Sequence, residues 1–381
     1  MTEVSSRYRA SKLFEPHRIN GLTLANRIVM APMTRRKSPG GIPGPDVAAY
    51  YRRRAEGEVG LIVTEGTWIP HATAGNGADA PNFYGEAALA GWQHVVDEVH
   101  AAGGRIVPQL WHVGQTHLPG EEAAFPDQAA YDKRLAGPSG MVGVIGHMPN
   151  RVASPSGQKT IDEIIDAYAT AARTAFDMGF DGVELHGAHG YILDQFNWAV
   201  TNIRTDSYGG DARKRARFAS EVVSEIRRRT GPDFPIIMRI SQWKIHDYQA
   251  KLASTPQELA DLLEPMAEAG VDAFHCSQRR FWETEFDSEL NLAGWAKKLT
   301  GRTSISVGSV SLQVDFLTTR TGTESGVAGI DKLIEMIERG DFDMIAVGRA
   351  LLVDPNWARK VRQDQLDTIL PYAPAAMDEL T

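Results

Sequence analysis

Eight short apolar runs punctuate the chain, and their number and spacing constrain its fold more than any other feature. They read RIVMAP (27–32), GLIVTEG (60–66), GRIVPQLW (104–111), FDGVELHG (180–187), FPIIMRIS (234–241), VDAFHCS (271–277), SISVGS (304–309) and FDMIAVG (342–348). Each is rich in β-branched residues and too short for a buried helix. Near-continuous apolarity, rather than alternation, marks parallel strands covered on both faces. Amphipathic helical segments separate most of the runs, among them EAALAGWQHVVDEVHAAGG, TIDEIIDAYATAARTAFDMGF, DARKRARFASEVVSEIRRRTG and TPQELADLLEPMAEAGV. LAGWAKKLTG and GIDKLIEMIERGDF precede the last two runs. Eight strand-then-helix units predict a (β/α)8 TIM barrel. A doubly wound sheet is the competitor, but no GxGxxG follows the first run.

Local signals agree. Thr160 and Glu163 have capping-box spacing, which predicts a helix start at Thr160. Gly103, Gly179, Gly231, Gly270, Gly301 and Gly340 stand where helices should end. Residues 1–381 read as a single barrel domain, closed by a C-terminal helix and tail over 354–381. One connection is long: residues 113–157, after the third run, are rich in Gly, Pro and Ser. A loop of that length in a compact domain is expected to be functional, as a lid or wall of the active site.

Composition narrows the partners. A net charge of −8 argues against nucleic acid held by general electrostatics. One cysteine, Cys276, excludes an intrachain disulfide, a cysteine-rich zinc site and a cysteine-ligated iron–sulfur cluster. The first residues lack the apolar core of a signal peptide, and no run approaches the roughly 20 residues that span a bilayer. A soluble cytoplasmic protein, without membrane or nucleic-acid partner, is the expectation.

Polar residues gather where the strands end, which in a barrel is the active-site mouth. The first strand ends at Pro32, Met33 and Thr34, the second at Glu65 and Gly66, the third at Gln109 and Trp111. The others end at His186, Arg239, His275 with Ser277, Gly308 with Ser309, and Gly348 with Arg349. Glycines and an arginine after strands seven and eight suit a phosphate, although they also suit tight turns. Arg239 asks for an anionic or electron-rich partner, a structural ion pair being the plainer choice. Gln109 offers donors and an acceptor to a heterocycle edge, or serves as a supporting amide. His186, His189 and Tyr191 admit several readings. Metal binding would recruit Glu65 and His275, but no hydrolytic ligand pattern is complete. A Schiff-base lysine is absent from the strand ends, Lys244 falling just past one. The remaining choices are paired imidazole donors to one oxygen with a tyrosine acid, or satisfied turn residues.

The stretch HGAHGYILDQFNWAVTNIRTDSYGGDARKRARF, together with LFEPHRINGLTLANRIVMAPMTR and FDMIAVGRALLVDPNW, resembles the Old Yellow Enzyme family of FMN-dependent ene-reductases, which are (β/α)8 barrels. The likeness spans nearly the whole chain. It implies that Pro32, Met33 and Thr34 cradle a flavin ring, and that Gly66 and Gln109 meet its pyrimidine side. Arg239 would face N1 and O2, and Gly308, Ser309, Gly348 and Arg349 would hold the phosphate. His186, also at the flavin, would bind the substrate oxygen together with His189. Tyr191 would supply a proton, and Trp111 and Phe281 would complete the substrate site. NADH or NADPH would reduce the FMN, which would in turn reduce the activated C=C of an α,β-unsaturated carbonyl compound or nitroalkene, in ping-pong order. The alternatives are an FMN-dependent amine dehydrogenase or N-demethylase, and a non-catalytic flavin carrier. Monomer and homo-oligomer both remain open. Two departures stand out: Ser309 replaces the asparagine of some members, and QRRFWETEFD (278–287) matches no specificity pattern.

Overall fold

The structure, a computed structural model, describes Tyr8 and residues 11–75, 79–117, 135–144, 146–151, 153–320 and 322–381. All eight apolar runs are strands of one closed parallel barrel, so the TIM-barrel expectation holds. In chain order the strands are β1 (His17–Ile19), β2 (Leu22–Leu24), β3 (Ile28–Met30), β4 (Leu61–Trp68) and β5 (Ile106–Trp111). Next come β6 (Thr116–His117), β7 (Met141–Val144), β8 (His147–Arg151), β9 (Val183–His186) and β10 (Ile236–Ser241). β11 (Ala273–Ser277), β12 (Thr303–Val307) and β13 (Met344–Val347) complete the set. The barrel runs β3-β4-β5-β9-β10-β11-β12-β13 and closes from β13 onto β3.

Two apolar layers explain the continuous runs. Residues facing out, such as Ile62, Leu110, Leu185 and Met238, pack with the surrounding helices. Residues facing in, including Val29, Leu61, Val107, Ile237, Ala273, Ile305 and Met344, form the barrel's own core. Ile19 and Leu24 of the β1–β2 hairpin join that inner cluster. Hydrogen bonds from Gly21 N to Asp233 O (3.2 Å) and from Asn20 to Pro232 place the hairpin beside the start of β10. It therefore plugs the N-terminal end and leaves the other mouth open.

The glycines expected at helix ends all adopt positive φ, from 66° at Gly301 to 122° at Gly270, a region costly for residues with a Cβ. The capping box at Thr160 does not form. The helix Gln158–Asp177 starts earlier, because extended Gly157 offers its carbonyl to Ile161 N at 3.1 Å, which leaves Thr160 inside the first turn. A related cap forms at the helix Pro256–Ala269, with the glutamate reaching one residue before the N-cap Thr255. Thr255 accepts from Glu258 N at 3.1 Å, and Glu258 accepts from Ser254 N at 2.9 Å.

In the described part of the long excursion that follows β5, strands β6, β7 and β8 form a three-stranded sheet. Residues 118–134, 145 and 152 of the excursion lie outside the described residues. None of its described residues lines the central cavity. Instead Thr116 Oγ1 donates to Gly190 O at 2.9 Å, and Gly146 N donates to Ile245 O at 2.9 Å. The described residues of the excursion thus brace the loops after β9 and β10. The segment 354–381 contains the helix Trp357–Arg362 and a tail that returns to the mouth, where Arg35 holds the carbonyl of Ala376 at 2.8 Å.

Candidate active site

The strand ends enclose a cavity of about 660 Å3 at the open mouth. Pro32, Met33, Thr34, Gly66, Gln109, Trp111, His186, His189, Tyr191, Arg239, Gly308, Ser309, Gly348 and Arg349 all line it. Phe281 does not. Its N–H donates to Gly308 O at 3.0 Å, its carbonyl accepts from Asn291 at 2.7 Å, and its ring is buried against Trp282. The loop needs that ring as its own core, which takes Phe281 away from the substrate position expected for it.

After β3 the chain passes Thr34 and is held by a carboxylate. Glu65 accepts from the N–H groups of Arg35 (2.7 Å) and Arg36 (3.1 Å), fixing Arg36 at φ 53°. Burial outweighs these donors and the two arginine charges, and lifts the Glu65 carboxyl to about 7. Glu65 thus shapes the loop carrying Met33 and Thr34 and is not placed as a metal ligand.

The β4–β5 ladder shifts register between Val63 and Gly66. A Cβ on Gly66 would lie 2.7 Å from the Trp111 ring, so only glycine lets that indole pack there, stacked on Trp68 at 4.1 Å. Gln109 Nε2 donates to Glu184 Oε1 at 2.8 Å. The other Glu184 oxygen accepts from His275 Nδ1 at 2.6 Å, and both of these side chains are fully buried. With one N–H spent on Glu184, Gln109 keeps its carbonyl oxygen on the Gly66 side. Arg239 lies between β9 and β11, in register with His186 and His275. Burial lowers its pKa, and the Glu184 charge opposes that shift. Its Nε is buried without a partner among the described residues. One glutamate thus holds the Gln109 amide and sets a negative charge near Arg239.

The turn after β9 gathers the candidate donors. His186 lies 5.2 Å from His189 and 4.8 Å from Tyr191, ring centre to ring centre and edge to face. Trp111 meets Tyr191 edge-on at 5.0 Å. His189 adopts φ 66°; its N–H donates to Ser241 Oγ at 2.9 Å, and its ring stacks on Trp243 at 4.2 Å. Its Nε2 is 2.8 Å from Ser277 Oγ. Burial, then the Arg239 charge, drives both imidazoles well below the usual histidine pKa, so both are neutral at pH 7. Lys244, weighed above as a Schiff-base residue, is fully buried and bonded to Asp194 at 2.8 Å, away from the cavity lining.

At the opposite end Gly308 and Ser309 turn sharply, with φ 157° and 50°. A Cβ on Gly308 would lie 2.7 Å from Gln278 O and 2.9 Å from Arg280 N. No helix follows β12 at once; the helix Phe316–Arg320 begins only after an irregular turn. A Cβ on Gly348 would meet nothing nearer than Met33 Sδ at 3.6 Å, which leaves its backbone open to the cavity. Arg349 donates to Asp315 O at 3.1 Å and to Thr319 Oγ1 at 2.5 Å, and both acceptors are uncharged.

Other lining residues escaped the sequence reading: Trp243, Ile245 and Tyr248 after β10, Arg279 after β11, and Tyr372 and Met377 from the tail. Glu184 was legible in principle, because it sits two residues before His186 on the same strand face. The donor set fits a flavin mononucleotide: a mixed amide and guanidinium end, an apolar middle, and a cationic glycine-lined end.

Comparison with known proteins gives the family. The sequence profile of the NADH:flavin oxidoreductase / NADH oxidase family matches residues 12–368. The chain is 32% identical to 12-oxophytodienoate reductase 7 of Oryza sativa subsp. japonica over 376 residues, covering 93% of this chain and 89% of that protein. It is 32% identical to chanoclavine-I aldehyde reductase fgaOx3 of Penicillium roqueforti over 367 residues, covering 96% and 91%. A solved structure of morphinone reductase in complex with tetrahydroNAD superposes with a TM-score of 0.75 at 26% identity, covering 97% of each chain. The chain belongs to the NADH:flavin oxidoreductase / NADH oxidase family, the family of Old Yellow Enzyme.

Proposed function

We propose that this protein is an FMN-dependent ene-reductase that draws hydride from NADH or NADPH and reduces the activated C=C of α,β-unsaturated carbonyl compounds or nitroalkenes. The observation that carries the reading is the packing of His186, His189 and Tyr191 into one edge-to-face cluster on the cavity wall. The bound flavin would relay the two electrons from nicotinamide to the substrate β-carbon.

The chain's own residues bind, polarise and protonate. Neutral imidazoles donate to a carbonyl or nitro oxygen without presenting a full charge, and such donors are worth about 3–4 kcal/mol each in the barrier. Ser277 fits as the group that sets the tautomer: its hydroxyl donates to His189 Nε2 and leaves Nδ1–H for the ligand. Tyr191, which packs beside His186, would protonate the α-carbon. Trp111 forms one flat wall of the same pocket. Pro32, Met33, Thr34, Gly66, Gln109 and Arg239 would hold the ring, and Gly308, Ser309, Gly348 and Arg349 the phosphate. A nicotinamide entering the same mouth is consistent with the tetrahydroNAD complex of morphinone reductase.

The test is the visible spectrum of the purified protein. Flavin absorbance should bleach on anaerobic addition of NADH or NADPH and return on addition of cyclohexenone. A colourless protein that takes up no FMN, or a reduced flavin that no enone reoxidises, would refute the assignment.

A further inference from the structure

The segment QRRF after β11, which matches no specificity pattern, finds a use at the phosphate end of the cavity. Its backbone is stapled to the Gly308–Ser309 turn. Gln278 N donates to Val307 O at 2.9 Å, Phe281 N donates to Gly308 O at 3.0 Å, and Ser309 Oγ donates to Arg279 O at 2.9 Å. The bare Cα of Gly308 allows this approach, since a Cβ there would collide with Gln278 O at 2.7 Å. The stapling fixes where residues 279 and 280 leave the loop. Arg279 lines the cavity and Arg280 does not.

The charges at that end do not balance. Arg280 is paired twice, with Glu283 at 2.8 Å and with Asp315 at 2.8 Å. Arg279 reaches the same Asp315 oxygen only at 3.4 Å, and its Nε is buried with no partner among the described residues. Among the described residues Arg349 hydrogen-bonds only to the Asp315 carbonyl and the Thr319 hydroxyl, neither of them charged, and lies over the Phe316 and Tyr372 rings. One carboxylate, already used by Arg280, therefore faces two further guanidinium groups across the Gly308–Ser309 turn. A phosphate monoester carries between one and two negative charges near neutral pH, which two partly unpaired arginines match.

We propose that Arg279 is a second phosphate-binding arginine, acting with Arg349 on the terminal phosphate of the flavin mononucleotide. The proposal rests on the flavin reading above. Arg279 then accounts for the start of the departure at 278–287: this part of the loop selects the phosphorylated flavin and not the substrate.

The experiment compares FMN with riboflavin, which lacks the phosphate. Wild type, Arg279→Gln and Arg280→Gln are stripped of flavin and titrated with each, following the quenching of flavin fluorescence. Loss of one charge-assisted phosphate contact should weaken FMN about 10- to 100-fold in Arg279→Gln. Riboflavin affinity should stay within about twofold of wild type, and that retained binding also reports an intact fold. Arg279→Lys should recover part of the loss, and Arg280→Gln should leave the FMN-to-riboflavin ratio near that of wild type. Equal losses for both flavins, or unchanged FMN binding in Arg279→Gln, would overturn the proposal. A wild type that binds neither flavin would instead overturn the flavin reading itself.

Discussion

Lys244 Nζ lies 2.8 Å from Asp194 Oδ1, and both side chains are fully buried. The second Asp194 oxygen accepts from Gly190 N at 2.7 Å, and Lys244 also donates to Ser241 O at 3.0 Å. This ion pair therefore ties the turn after β9 to the loop after β10. Burial raises the carboxyl pKa of Asp194 and lowers the Lys244 pKa, which their mutual attraction opposes. Removing one partner strands a buried charge, so Lys244→Met or Asp194→Asn alone should each cost about 3–5 kcal/mol. The double variant should lose less than the sum. Urea unfolding of the four proteins checks this; strictly additive losses would show that the two residues do not act as a pair.

The paired donors make a kinetic prediction. His186→Ala/His189→Ala should still bind FMN and accept electrons from nicotinamide, yet reoxidise with enones several orders of magnitude more slowly, at about 3–4 kcal/mol per donor. Tyr191→Phe should lose less, because solvent can deliver the proton. Anaerobic half-reactions followed at the flavin band separate the two steps. Unchanged enone turnover in the double variant would remove the histidines from the chemistry.

Glu65 and the buried histidines pull the stability in opposite directions over one pH range. The Glu65 carboxyl sits at about 7 against 4.5 when unfolded, so the folded state binds the extra proton and gains stability as pH falls from 7 to 4.5. Two and a half units correspond to about 3 kcal/mol. His186, His189 and His246 are lowered by burial, His246 to about 4, so their contribution is present above 6.5 and lost in acid. Glu65→Gln should leave only the second trend. The stability of wild type minus that of the variant should grow by about 3 kcal/mol between pH 7 and pH 4.5. Denaturant midpoints at both pH values measure it, and a flat difference would contradict the buried carboxyl.

Cys276 is fully buried on β11, and burial pushes its thiol pKa up. The native protein should not react with a thiol-specific chromogenic reagent, whereas the urea-unfolded chain should release one equivalent. Fast labelling of the native state would mean that β11 opens.

The barrel was legible because each strand is covered on both faces, and that cover makes its sequence continuously apolar. The lining residues at the strand ends followed from it, since strand ends in a closed barrel share one rim, whereas His189 and Tyr191 were read from the turn after β9. Loop residues were not legible in the same way. Trp243, Tyr248 and Tyr372 reach the cavity along chain paths with no period to read. Phe281 shows the converse: an aromatic in a polar loop reads as a ligand contact, yet this loop turns the ring inward and caps the carbonyl with Asn291. Thr160 had the right spacing for a cap, but a glycine three positions earlier was free to start the helix first.

The left-handed backbone of His189 sets a limit that comes before any chemistry. At φ 66° the position tolerates glycine, asparagine, aspartate or histidine, and strains β-branched or bulky residues. Of these, asparagine and histidine are the two whose side chains bring an N–H of their own. The alphabet open to evolution at this donor is thus chosen by a torsion angle before a substrate is met, and directed libraries at 189 will be filtered by folding first and by turnover second.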